Sequence, residues 1–158
     1  MKIRRAKESD IEQICELGFK LLKYHTKFRK YYHPIKDSTK RKRLQRKYFR
    51  TEMKRRNGLF LVIDDEGKIA GYSISKIEKD PPILLNYLKG TFAEIFVEEE
   101  YRNQGWGTKL LQTSLDWFKK KKIKRAIVAY DAKNKKGENF YKGAGFGPFQ
   151  NQYEVYLK

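Results

Sequence analysis

Arg102-Asn103-Gln104-Gly105-Trp106-Gly107-Thr108 sets a cation, two glycines one residue apart and a hydroxyl in front of an apolar repeat. That repeat, Leu110, Leu111, Leu115 and Phe118, has helical spacing. The first amides of a helix have no acceptor within it, and the helix dipole adds positive potential. Glycine leaves the backbone open to close approach. Thr108 adds a hydroxyl and Arg102 a charge, so the chemistry offered is anion binding, a phosphate above all. The P-loop pattern GxxxxGKS/T is absent, and the dinucleotide fingerprint GxGxxG fails because Leu110 stands at its third glycine. On spacing alone, glycines that merely ease a turn are the competing reading.

The elements around this stretch are legible in outline. Thr91–Val97 reads as the strand that feeds it, and Lys119–Lys122 suits the negative end of the helix that follows. Ser9-Asp10-Ile11-Glu12 has the form of a capping box, ahead of a helix striped by Ile11, Ile14, Cys15, Leu21, Leu22 and His25. Residues 2–5 form a candidate edge strand. Residues 26–35 break the helical pattern, and 36–56 restore it with Leu44, Tyr48, Phe49 and Met53 on one side. Phe60–Ile63 and Lys68–Ile77 read as strands about the turn Asp64-Asp65-Glu66-Gly67, and Pro81-Pro82 marks a loop. Ala126–Ala129 is a buried strand, Asn134–Lys142 a short helix stopped by Gly143 and Gly145, and Tyr153, Val155 and Leu157 alternate as a last strand. This order predicts a mixed sheet with helices packed against it, one domain over residues 1–158.

Composition narrows the class. Of 158 residues, 37 are Lys or Arg and 19 are Asp or Glu, a net charge of +18. No apolar run approaches the ~20 residues of a membrane span. One cysteine and two histidines argue against a disulfide framework and a zinc cluster, so no metal is expected. Met1-Lys2-Ile3-Arg4-Arg5 leads into no apolar stretch, so a cytoplasmic protein without a signal peptide is expected. Half of the net charge lies within Lys36–Arg56, which makes nucleic acid or the ribosome a candidate partner there. A solvated helix face is the plainer reading of the same run.

Val97-Glu98-Glu99-Glu100-Tyr101-Arg102-Asn103-Gln104-Gly105-Trp106-Gly107-Thr108-Lys109-Leu110-Leu111 resembles the acetyl-CoA signature of the GNAT superfamily of N-acetyltransferases, which is Arg or Gln, two residues, Gly, one residue, Gly or Ala. A second stretch, Asn134 with Phe140-Tyr141-Lys142 and Gly145-Phe146, follows in the family's order. The resemblance implies an α/β (α+β) fold: a mixed, mostly antiparallel, splayed sheet of six or seven strands with about four helices on both faces. It implies a pantetheine arm lying in the splay against Ile95, Phe96 and Val97. The pyrophosphate would rest on Gln104 to Thr108, flanked by Arg102 and Asn103, with Trp106 packed beside the cofactor or the first helix. Asn134 and Tyr141 would complete the acetyl-CoA site. The chain departs from the pattern at Asn103, where glycine is frequent, at Gly137, where alanine is frequent, and in a short tail with one clear strand. The activity implied is acetyl transfer to a primary amine (a protein N-terminus, a lysine or a small molecule) in a ternary complex. A homodimer would also fit the family.

That chemistry needs a neutral amine, and a lysine amine is mostly charged near neutral pH, with a reference pKa of about 10.4. Glu94 is the candidate base by position, set between Phe92 and Phe96 and so expected to face apolar surroundings that raise its pKa. A lysine salt bridge at Glu94, or water as the base, competes with this. Tyr141 matches the family tyrosine placed to protonate the departing sulfur; a core aromatic is its plainer reading. A backbone amide near Val97 would hold the carbonyl oxygen. Glu98, Glu99, Glu100, Asp131 and Glu138 are expected to form an acidic patch near the gap, and the aromatic and basic run Tyr24–His33 to wall the acceptor site. A non-catalytic basic module that binds RNA or the ribosome on the same fold is the alternative function.

Overall fold

The computed structural model describes residues 1–85 and 87–156. Five strands, β1 (Lys2–Arg5), β2 (Gly58–Asp65), β3 (Lys68–Lys79), β4 (Leu88–Val97) and β5 (Ala126–Val128), form one sheet in chain order. The first four are antiparallel and β5 runs parallel to β4. Four α-helices cover it: α1 (Ile11–His25), α2 (Ser38–Met53), α3 (Trp106–Lys120) and α4 (Lys135–Gly143).

Alternation along β2 sorts the two layers. Phe60 and Val62 meet Ile14, Leu17 and Phe49 of α1 and α2 on one face, while Leu59, Leu61 and Ile63 meet Leu110 of α3 on the other. A third cluster joins Phe92, Leu111, Phe118 and Tyr141, which places α4 on the α3 face. Each large side chain buried this way contributes roughly 1.5–3 kcal/mol.

The strand that matters most is β4. Its register against β3 shifts between Ile74↔Glu94 and Ser75↔Phe92, which leaves Ala93 unmatched. Such a bulge breaks the alternation. Phe92 therefore joins the α3-face core, whereas Glu94 and Phe96 turn to the α1–α2 face. The expected grouping of Phe92 with Glu94 is thus corrected by one inserted residue. Beyond the bulge β4 also parts from β5, whose pairing covers only Gly90, Thr91 and Phe92.

Other expectations change. Residues 147–156 form no strand, and Leu157 lies outside the described residues, so the sheet has five strands among those described instead of six or seven. A three-residue β5 offers little ladder to pair with, and the tail is tied by a Glu154–Arg29 ion pair instead. Asp10, not Ser9, secures the entry to α1: its carboxylate accepts from the Lys7 amide at 2.7 Å and from the Arg4 guanidinium at 2.7 and 2.9 Å. On α2 only Phe49 of the expected stripe is fully buried; Leu44 and Tyr48 are exposed.

Candidate active site

The loop from β4 to α3 coils through two left-handed residues, Asn103 at φ +61° and Gly105 at φ +80°. Asparagine is among the few non-glycine residues that adopt this conformation readily, which accounts for its standing where glycine is frequent. The first helical hydrogen bond of α3 runs from the Lys109 amide to the Gly105 carbonyl at 3.0 Å. Among the described residues, the six amides from Asn103 to Thr108 have no backbone acceptor. These free donors stand in sequence at the positive end of a fifteen-residue helix. A Cβ on Gly107 would sit 3.4 Å from the Phe140 ring and 3.9 Å from Val97, so larger side chains there would fill the space between β4 and α4.

Arg102 turns back onto the end of β4. Its Nε donates to the Val97 carbonyl at 2.9 Å and its guanidinium lies over the Phe96 ring, so it braces the loop. Gln104 does the same through the Glu100 carbonyl at 2.9 Å. Thr108 is exposed in the first turn of α3. Trp106 packs on the α3-face core, away from α1, with the Lys109 ammonium over its ring.

The free edge of β4 supplies the second set of polar groups. The Glu98 amide donates to the Ala70 carbonyl, so in an antiparallel ladder Phe96 and Glu94 also bond to β3, while Ile95 and Val97 direct their backbone groups the other way. The β5 ladder ends at Phe92, so these groups face the splay. Arg102 takes the Val97 carbonyl; among the described residues the Val97 amide and both groups of Ile95 remain. Phe96 differs from its neighbours: its backbone serves β3 and its ring is core, 7% exposed.

Across the splay, Asn134 caps α4, its Oδ1 accepting from the Gly137 amide at 3.0 Å and from the Tyr24 hydroxyl of α1 at 3.1 Å. A Cβ at position 137 would press to 2.7 Å from the Asn134 amide nitrogen, which explains glycine where alanine is frequent. Tyr141 is 8% exposed and shares a cluster with Phe92 and Val128, the last pair before β4 and β5 part. Its ring stacks on Tyr130 at 5.9 Å. Burial pushes its hydroxyl up to about 12, so it holds its proton throughout the neutral range.

Glu94 lies on the opposite face of the sheet from Tyr141. Its Oε2 accepts from the Tyr72 hydroxyl at 2.5 Å and its Oε1 from the Tyr48 hydroxyl of α2 at 2.7 Å. Burial raises its pKa and the two hydroxyls oppose that rise without cancelling it. Desolvation of the hydroxyls, with the Glu94 carboxylate beside them, raises both tyrosines, Tyr72 strongly, so they remain donors. Among the described residues, no lysine forms a salt bridge with Glu94. Tyr48 and Tyr72, 46 and 22 residues away in sequence, had no local signal.

The C-terminal half of α1 and the segment after it span the splay, with Lys20 paired to Glu98 beyond β4 and Arg29 to Asp131 beyond β5. Of the expected acidic patch, Glu98 and Asp131 are so engaged, Glu100 pairs with Lys68, and Glu138 pairs with Lys135 and Lys142, while Glu99 has no ion pair among the described residues. Within Tyr24–His33, the rings of Tyr24, His25, Phe28, Tyr31 and Tyr32 interlock beside the Arg29–Asp131 bridge.

The family model of the acetyltransferase (GNAT) family matches residues 22–146. An uncharacterized N-acetyltransferase of Methanocaldococcus jannaschii is 31% identical over 150 residues, 91% of this chain and 59% of that protein. An N-alpha-acetyltransferase of Sulfurisphaera tokodaii is 31% identical over 106 residues, 63% of this chain and 62% of that protein. This chain thus spans about three fifths of the length of these curated relatives. The structure of a predicted acetyltransferase with acetyl-CoA from Clostridium acetobutylicum shares the fold at a TM-score of 0.78 and 18% identity, covering 99% of this chain and 96% of that one. A run of free amides, a free β4 edge and a family model spanning both point the same way, and the chain belongs to the GNAT acetyltransferase family.

Proposed function

We propose that this protein moves the acetyl group of acetyl-CoA directly to a primary amine. The run of unpaired amides from Asn103 to Thr108, next to the free edge at Ile95 and Val97, carries this reading. These donors fit a diphosphate at the head of α3 and an amide-bearing arm along β4. Acetyl-CoA supplies the acetyl thioester. The Val97 amide holds its carbonyl oxygen in this reading. Glu94, whose pKa burial raises, accepts the amine proton from the α1–α2 face. Tyr141 returns a proton to the sulfur from the α3–α4 face. Protein N-termini, lysines and small-molecule amines are all candidate acceptors, and the name of the N-alpha-acetyltransferase relative supports including the first.

Thiol release from acetyl-CoA tests this, with polyamines, amino acids, peptides with a free N-terminus and peptides with only lysine amines compared side by side. Amine-dependent release with at least one class is expected. Folded protein that releases no thiol with any of them overturns the reading.

A further inference from the structure

The outer face of α2 has no part in the site described above. Its core face carries Phe49 and its site-facing side carries Tyr48, which reaches Glu94. Opposite Phe49, Lys40, Arg43, Lys47, Thr51 and Lys54 recur at three- and four-residue steps, one stripe of about 21 Å at 1.5 Å per residue. All five are exposed, and none of the four cations has an acidic partner among the described residues. Two neighbours, Arg46 and Arg50, are paired with Glu12 and Glu8 of the segment around the start of α1. The single acid within α2, Glu52, is buried and held by Arg55. Arg43, Arg46, Lys47, Arg50, Thr51 and Lys54 line a groove of about 350 Å³.

We infer that this groove binds the phosphodiester backbone of a nucleic acid. The lining decides between polyanions. Protein interfaces draw their affinity from apolar and aromatic anchors at the centre, and this groove presents none. Backbone binding to nucleic acid needs only cations in register, gains from counterion release, and suits the arginine fork. With a net charge of +18, the whole molecule attracts such a polymer, and the stripe gives it a place to settle.

The test is fluorescence anisotropy of the intact protein with a labelled oligouridylate, measured across salt concentrations. Two variants with equal charge loss are compared. One carries Lys40→Gln, Arg43→Gln, Lys47→Gln and Lys54→Gln. The other carries Lys119→Gln, Lys120→Gln, Lys121→Gln and Lys124→Gln, at the exposed far end of α3. Each neutralised phosphate contributes about 0.7 to the slope of log K against log salt on a single strand, so the α2 variant should lose about 3 and bind ~10²–10³-fold more weakly near 0.1 M salt. The α3 variant should keep its slope. Equal losses in the two variants, or no binding by the unmodified protein, overturn the inference. Oligothymidylate distinguishes the source: weaker binding than RNA assigns part of the recognition to ribose, and equal binding assigns it to phosphate. Oligoglutamate bound as tightly as RNA and lost in the same α2 variant would overturn the phosphodiester assignment.

Discussion

Tyr72→Phe should move the titration of Glu94 upward by about one to two pH units. The Tyr72 hydroxyl donates to the Glu94 carboxylate at 2.5 Å and the residue is fully buried, so no water replaces the lost donor. A hydrogen bond to a charged group is worth about 1.5–3 kcal/mol, and one pKa unit is 1.36 kcal/mol. Loss of that donor removes stabilisation from the ionised form only, so the value rises. Tyr48→Phe removes the bond to the other oxygen, but Tyr48 is 40% exposed and water can take its place, so a shift of half a unit to one unit is expected. The assay is carbon NMR of the glutamate carboxyl groups against pH, with Glu94→Gln to assign the resonance. It needs no acceptor substrate. If neither substitution moves Glu94, or if the exposed tyrosine moves it more than the buried one, the reasoning about this site is wrong.

Glu94→Gln should stabilise the protein at neutral pH. Because the folded value of Glu94 is raised, its ionisation costs stability as pH climbs through that value, at about 1.4 kcal/mol per unit of displacement. The advantage of the variant, read by urea unfolding, should close below the ordinary glutamate range; a constant advantage at every pH contradicts the shift. Tyr141→Phe should slow turnover on the order of 10²-fold while acetyl-CoA affinity by calorimetry stays the same, and unchanged turnover removes Tyr141 from the chemistry. Gly71→Ala would set a Cβ 2.6 Å from the Phe96 carbonyl oxygen and 3.1 Å from the Val97 Cα, forcing β3 from β4. A loss of more than about 2 kcal/mol by urea unfolding is expected, and a neutral result would mean that β4 yields easily.

Much of this site is written locally in the chain. The loop Arg102–Thr108 was legible because its donors come from consecutive residues at one helix start, and Asn134 with Tyr141 because both lie on one short helix. The strand Thr91–Val97 showed its apolar content, yet the extra residue at Ala93 did not show, since a bulge is fixed by pairing to β3 and not by the strand alone. That bulge decides which face Glu94 uses. The partners of Glu94 were hidden for a similar reason: Tyr48 reads as an apolar stripe residue until α2 is docked, and Tyr72 as a core aromatic. Most of the acidic patch is paired, which charge counting along the chain misses because it omits Lys20, Arg29 and Lys68, which reach those acids from other elements. Tyr153 and Val155 alternate like strand residues, but alternation needs an edge to pair with, and β5 is three residues long.

The most direct measurement is amide NMR of the protein as coenzyme A is added. The largest shifts are expected at Asn103 to Thr108, whose N–H groups would gain phosphate acceptors, with Ile95 and Val97 moving alongside them. Coenzyme A bound with those amides unmoved, or folded protein that does not bind it, would contradict the assignment of the loop before α3 as the place where this chain holds its acetyl donor.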